Sequence, residues 1–281
     1  MSNSSLPRRI LGGALLVVVL IGGVLLHPYL FVAVFAFALA EMMTEYYRMA
    51  FGKGEYSGIR AALTALAVAA FAFVPLSMMY GIDLKYLLLA LPLLLAVFMV
   101  MLVQQAHDVS ALKVQDIAFP IVYLLPSFSV SARMMFDTAG NYSPWLFIAI
   151  ICILWMNDIG GYAFGMMFGQ KEGSIKIAPS LSPKKSLAGV FGSIVFALAA
   201  VAVAYLCFNL SLALWHWCVI AAVVVVFGIF GDLFESMLKR HYGVKDSGNI
   251  IIGHGGLLDR FDAVIFALPV ITVFLLLAGV I

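Results

Sequence analysis

The chain has 281 residues, of which 64% are hydrophobic and 11% charged, and its formal net charge is +2. A soluble domain carries roughly 25% charged residues, so a water-soluble fold is excluded: the polar groups are too few to cover the apolar ones. So small a net charge gives no reason to expect nucleic acid as a partner.

A bilayer core takes about 20 mostly apolar residues per helix. In chain order such runs occupy 10–26, 29–48, 60–80, 85–105, 115–134, 145–168, 186–208, 212–235 and 259–281. The first follows Arg8 and Arg9 and so imitates a secretory signal. It is longer than a signal's apolar segment and is read as a span. The fifth contains Pro120 and Pro126 and is expected to kink. The expected fold is an all-α integral membrane protein with about nine transmembrane helices. Residues 1–145 are expected to be lipid-facing scaffold helices. Residues 146–281 are the expected catalytic region, with polar loops at 169–185 and 236–258. Cys152, Cys207 and Cys218 lie inside apolar runs, spaced for neither a disulfide framework nor a metal site. They are expected to be buried and inert.

Lys and Arg positions set the orientation. Arg8, Arg9, Arg48, Lys53, Arg60, Lys113, Lys171, Lys176, Lys184, Lys185, Lys239, Arg240, Lys245 and Arg260 fall on one side, leaving Lys85 and Arg133 on the other. This predicts a cytoplasmic N-terminus, both long loops cytoplasmic, and an outside C-terminus, as in a bacterial inner membrane.

Carboxylates near a bilayer are functional candidates by default. Asp158 lies in the segment WMNDIGGYAFG. Asp232, Glu235, Ser236 and Lys239 share one helix face at the end of the eighth run. Lys245, Asp246 and the turn His254-Gly255-Gly256 follow, and Asp259, Arg260 and Asp262 open the ninth run. Clustered carboxylates and cations suit a bound divalent metal with phosphate, because Mg²⁺ takes carboxylate oxygens and substrate phosphates together. Glycines let backbone N–H groups approach phosphate oxygens. The plainer alternative is interfacial salt bridging and helix capping. A second signature, SPKKS, spans 182–186. Ser182 is expected to cap the seventh helix with Pro183 at its first position. Lys184 and Lys185 would then oppose the helix dipole unless an anion sits there.

The stretch SMLKRHYGVKDSGNIIIGHGGLLDRFD, residues 236–262, closely resembles the signature of phosphatidate cytidylyltransferases, and the likeness extends to WMNDIGGYAFG and SPKKS, covering about residues 150–281. It departs from that signature at Ile252, where the family usually has proline, and at Ala188, where many relatives carry a polar residue. The resemblance implies a reaction of CTP with phosphatidate that yields CDP-diacylglycerol and pyrophosphate, with Mg²⁺ as cofactor and membrane lipids around the site. It implies Asp232 and Asp259 as metal ligands, with Asp246 and Asp262 next, and Lys239 and Lys245 in catalysis. Ser182, Lys184, Lys185, Ser236, Arg240, Gly255, Gly256 and Arg260 would bind substrate. His254 either donates to pyrophosphate or shapes the turn, and Asp158 either joins the metal site or orients a lysine. The choice between CTP and dCTP, and whether the chain forms a homodimer, stay open. A cation-coupled transporter is the alternative, disfavoured because the acids gather at one interface rather than at mid-membrane. An enzyme transferring phosphatidyl to an alcohol would need an Asp-Gly-x-x-Ala-Arg helix, which the sequence lacks.

Overall fold

The computed structural model describes residues 5–89 and 112–281, apart from Lys53, Ser180, Asn209, Ser211, Ile252 and His254. The chain is mainly helical, as its composition demands, since in hydrocarbon a helix satisfies its own backbone polar groups. The helices are α1 (Ser5–Leu26), α2 (Pro28–Phe51), α3 (Ser57–Tyr80), α4 (Leu112–Ser131), α5 (Trp145–Met167), α6 (Leu187–Cys207), α7 (Leu214–His241) and α8 (Leu258–Leu277). Seven of them, α2 to α8, are long and apolar enough to cross a membrane, whereas the apolar stretch of α1 at Gly12–Leu26 is shorter. The run expected at 85–105 opens with a 3-10 turn at Leu84–Leu89, and its remainder lies outside the described residues. The all-α membrane reading therefore stands on seven spans among the described residues.

Local chemistry sets the ends of these helices. Pro28 starts α2 behind His27, whose Nδ1 accepts the Tyr29 N–H at 3.3 Å. Pro is suited to a first turn because its missing N–H would have no helical partner there. The helix α4 runs through Pro120 and Pro126 and tightens to 3-10 at Ala132–Met135.

Three expectations need correction. First, SPKKS does not enter a helix. Ser182–Ser186 is a strand, β2, antiparallel to β1 (Lys176–Ala178). The cap of α6 is Ser186, whose Oγ accepts the Gly189 N–H at 3.3 Å. Extended backbone at Ser186 hands the capping role to the last serine of the motif rather than the first. Second, α7 continues past 235 to His241, so the loop expected at 236–258 starts later, and the face shared by Asp232, Glu235, Ser236 and Lys239 lies wholly on the helix. Lys239, Arg240 and His241 in its last turn complement the negative end of the helix dipole. Third, the cysteines are not all buried: Cys152 is half-buried, but Cys207 and Cys218 lie on the outer surface of their helices.

The described chain groups into two units. The first runs to Arg133 and takes in Gly140–Tyr142 and Asp246–Arg260. Its core joins α2, α3 and α4 through Phe31, Phe35, Phe71 and Phe128. The second comprises Met134–Ala139, Ser143–Lys245 and Phe261–Ile281. Here α5 and α6 pack closely. A Cβ on Gly160 would come within 2.6 Å of Phe196 Cβ, and one on Gly161 within 2.7 Å of Ser193 Oγ. Small residues let membrane helices approach and gain dispersion contacts that lipid would otherwise supply.

Candidate active site

In the second unit, the close approach of α7 to α8 assembles a group of carboxylates. A Cβ on Gly231 would lie 2.9 Å from the carbonyl carbon of Asp262 and 3.1 Å from Ala263 Cα, so a larger residue would force the helices apart. With glycine there, oxygens of Asp232, Glu235 and Asp262 all lie within 4.8 Å of one another. Asp232 and Glu235 stand three residues apart on α7, which puts both on one face. Glu235 is buried, and Asp232 and Asp262 are half-buried.

Two lysines meet this group. Lys185 Nζ lies 2.7 Å from Asp232 Oδ2 and donates to the Ile229 carbonyl at 3.2 Å. Lys239 Nζ lies 3.2 Å from Glu235 Oε2, one turn along α7. Ser236 Oγ donates to Asp232 Oδ1 at 3.5 Å. Carboxylates held this close repel one another unless positive charge lies among them, so the group suits a further cation. Carboxylate oxygens at this spacing are the hard donors that Mg²⁺ takes, and the residues present fit such an ion.

The strand explains why neighbouring lysines differ. Successive side chains of a strand point to opposite faces. Lys185 is half-buried and reaches Asp232, while Lys184 is exposed, its carbonyl accepting from Gln170 Nε2 at 3.0 Å. Ser182 opens the strand, half-buried. Lys185→Ala should therefore lower kcat/KM by about a hundredfold and Lys184→Ala by less than about threefold, because a half-buried ion pair outweighs an exposed charge. Steady-state kinetics of the two variants would measure both, and equal losses would show that the strand does not discriminate.

Asp158 is exposed on α5, where its Oδ1 accepts from Asn157 Nδ2 at 3.1 Å. The Arg240 guanidinium donates to the Val244 carbonyl at 3.1 Å, closing the end of α7, and Lys245 beyond it is exposed.

In the first unit, the described residues of 246–258 fold back on themselves. The Ile251 N–H donates to the Gly255 carbonyl at 3.1 Å. Gly255 adopts φ +85, a left-handed backbone that glycine enters without a Cβ penalty. His254 lies outside the described residues. Asp259, expected beside Asp232 at a metal, belongs to this unit. Its Oδ2 accepts from Ser247 N at 3.0 Å, Ser247 Oγ at 3.1 Å and Gly256 N at 2.8 Å. Asp246 and Arg260 are exposed and Gly256 is buried.

Two carboxylates carry no assigned role in the reading of the sequence. Glu235 shares the face of Asp232, and the i, i+3 spacing was its signal. Glu45, in the apolar run of α2, is fully buried. Its oxygens accept from Leu257 N and Leu258 N, both at 2.8 Å, and from Ser247 Oγ at 3.0 Å. A carboxylate inside an apolar run was itself the signal.

The sequence pattern of the cytidylyltransferase family matches residues 7–278. A phosphatidate cytidylyltransferase of Staphylococcus saprophyticus is 37% identical over 142 residues, covering 50% of this chain and 53% of the relative. One of Bacillus subtilis is 42% identical over 125 residues, covering 44% and 45%. One of Staphylococcus aureus is 36% identical over 148 residues, covering 52% and 55%. The chain thus spans about half the length of the curated relatives it matches.

Proposed function

The chain belongs to the cytidylyltransferase family, and from that premise we propose that it is a CTP:phosphatidate cytidylyltransferase, a membrane nucleotidyltransferase that makes CDP-diacylglycerol and releases pyrophosphate. The observation that carries the reading is the convergence of Asp232, Glu235 and Asp262 with Lys185 and Lys239. Relatives named for this activity share up to 42% of residues over the matched half.

A phosphatidate oxygen attacks the α-phosphorus of CTP, the bond to the β-phosphate oxygen breaks, and pyrophosphate departs. A phosphomonoester has its second pKa near 6, so this nucleophile is largely dianionic at neutral pH and needs no strong base. The protein's work is then to position two anions against each other and to neutralise them. Asp232, Glu235 and Asp262 would hold Mg²⁺, which when bound supplies Lewis-acid charge to phosphate oxygens. Lys185 and Lys239 hold the carboxylates in place and add positive charge beside them. Lys245 in the second unit and Arg260 in the first are both exposed, and each is proposed, as the family signature implies, to neutralise phosphate charge; Arg240 closes the end of α7. Asp259 would fix the turn through its bonds to Ser247 and Gly256, with Asp246 exposed beside Ser247.

The decisive test is incubation of the purified chain with radiolabelled CTP, phosphatidate and Mg²⁺. Label passing into a chloroform-soluble lipid with matching release of pyrophosphate is the expected outcome. No labelled lipid from a folded preparation would end the reading.

CTP is a cytosolic metabolite, so the site is proposed to face the cytoplasm of an inner membrane, with residue 281 outside, in keeping with the basic-residue asymmetry. After replacement of Cys207 and Cys218, which lie on helix surfaces, Asn249→Cys should react with an impermeant thiol reagent in inside-out vesicles. Ile281→Cys should react in right-side-out cells. Labelling of both from one side would make the span count even rather than nine.

A further inference from the structure

Glu45 has no exposed surface and sits within an apolar helix, where an ionised carboxylate is costly unless its oxygens are satisfied. Two of its bonds come from the backbone where α8 begins, Leu257 N to Oε1 and Leu258 N to Oε2. Those N–H groups are the orphan donors of a helix N-terminus, and a carboxylate there also meets the positive end of the helix dipole. The third comes from Ser247 Oγ, at 3.0 Å from Glu45 Oε2 and 3.1 Å from Asp259 Oδ2. A hydroxyl carries one proton, so Ser247 serves one carboxylate at a time and links the two.

The surrounding glycines make room for this carboxylate. A Cβ on Gly256 would lie 2.6 Å from both Glu45 oxygens, and one on Gly248 would lie 2.8 Å from Glu45 Cδ. The glycine requirement at 248 and 256 is therefore set by a side chain of α2, as much as by any phosphate.

We propose that Glu45 is the positioning residue of the 246–258 turn: it clamps the start of α8 and Ser247 so that the Asp259 carboxylate is held in one orientation. The inference rests on the cytidylyltransferase reading for its catalytic consequence, and on the clamp geometry alone for its effect on the turn.

Glu45→Gln keeps the size of the side chain but turns an amide donor toward a site fed by donors. Purified Glu45→Gln should show amide hydrogen exchange at 255–258 accelerated by at least about tenfold, with α3 unchanged. Its kcat should fall about a hundredfold while KM for CTP and for phosphatidate stays within about threefold, since positioning acts on the transition state. Ser247→Ala leaves both backbone bonds to Glu45 and should lower kcat about fivefold, again without a change in KM. Exchange at 255–258 like that of wild type overturns the clamp, whatever the activity. Faster exchange with kcat retained makes Glu45 merely structural and overturns the positioning role. If Glu45→Gln does not accumulate, Ser247→Ala decides, and an unchanged kcat there overturns the proposal. A wild-type protein that makes no labelled lipid ends the functional reading, while the exchange comparison still judges the clamp.

Discussion

Asp232→Asn should lower CDP-diacylglycerol formation by at least about a thousandfold, or about 4 kcal/mol of transition-state stabilisation. Asp232 takes part in two arrangements at once, the carboxylate group with Glu235 and Asp262 and the 2.7 Å pair with Lys185. An asparagine there removes charge from the cation site and leaves the Lys185 ammonium without its anion. Asp262→Asn should behave alike. The double variant should lose little more than either single one, because residues that act as a unit are not additive. Initial rates with radiolabelled CTP across a magnesium titration would measure this. Retention of more than about a tenth of wild-type turnover, a loss under about 1.4 kcal/mol, would remove the metal role from Asp232. Losses that simply add would mean the two residues serve separate steps.

The second large effect is expected at Asp259. A single oxygen, Oδ2, accepts from Ser247 N, Ser247 Oγ and Gly256 N. Asp259→Asn can keep an acceptor there but loses the charge that strengthens those bonds, each worth about twice a neutral one. Turnover should fall by about a hundredfold or more while the protein still inserts and folds. Asp259→Ala should also lower the thermal unfolding temperature in detergent, because it strands buried donors at about 1–3 kcal/mol each. Equal thermal stability of the two variants would show that the charge, not the hydrogen bonding, is what the turn requires. Full activity in Asp259→Asn would leave this residue outside the chemistry.

Much of the molecule is legible in its sequence because hydropathy is a local property. Whether a run of twenty residues can cross a bilayer depends on those residues alone, and seven expected spans coincide with long apolar helices. Charge and glycine spacing in 236–262 is likewise linear information, and it pointed to the family that the profile match over residues 7–278 establishes. Local grammar was less secure. Ser182 and Ser186 are both plausible caps in isolation, and pairing with Lys176–Ala178 decided for Ser186 by holding the whole motif extended.

What the sequence by itself determined is the solvent of this protein, its helical class and the family of its signature. Only the tertiary structure decided which carboxylates meet. Asp232 joins Asp262 because Gly231 lets α7 approach α8, and nothing in the linear spacing of thirty residues encodes that approach. Glu45 meets Leu258 across 213 positions, a separation at which no periodicity carries information. Helix packing makes such contacts, and it depends on the shape of every neighbouring side chain at once.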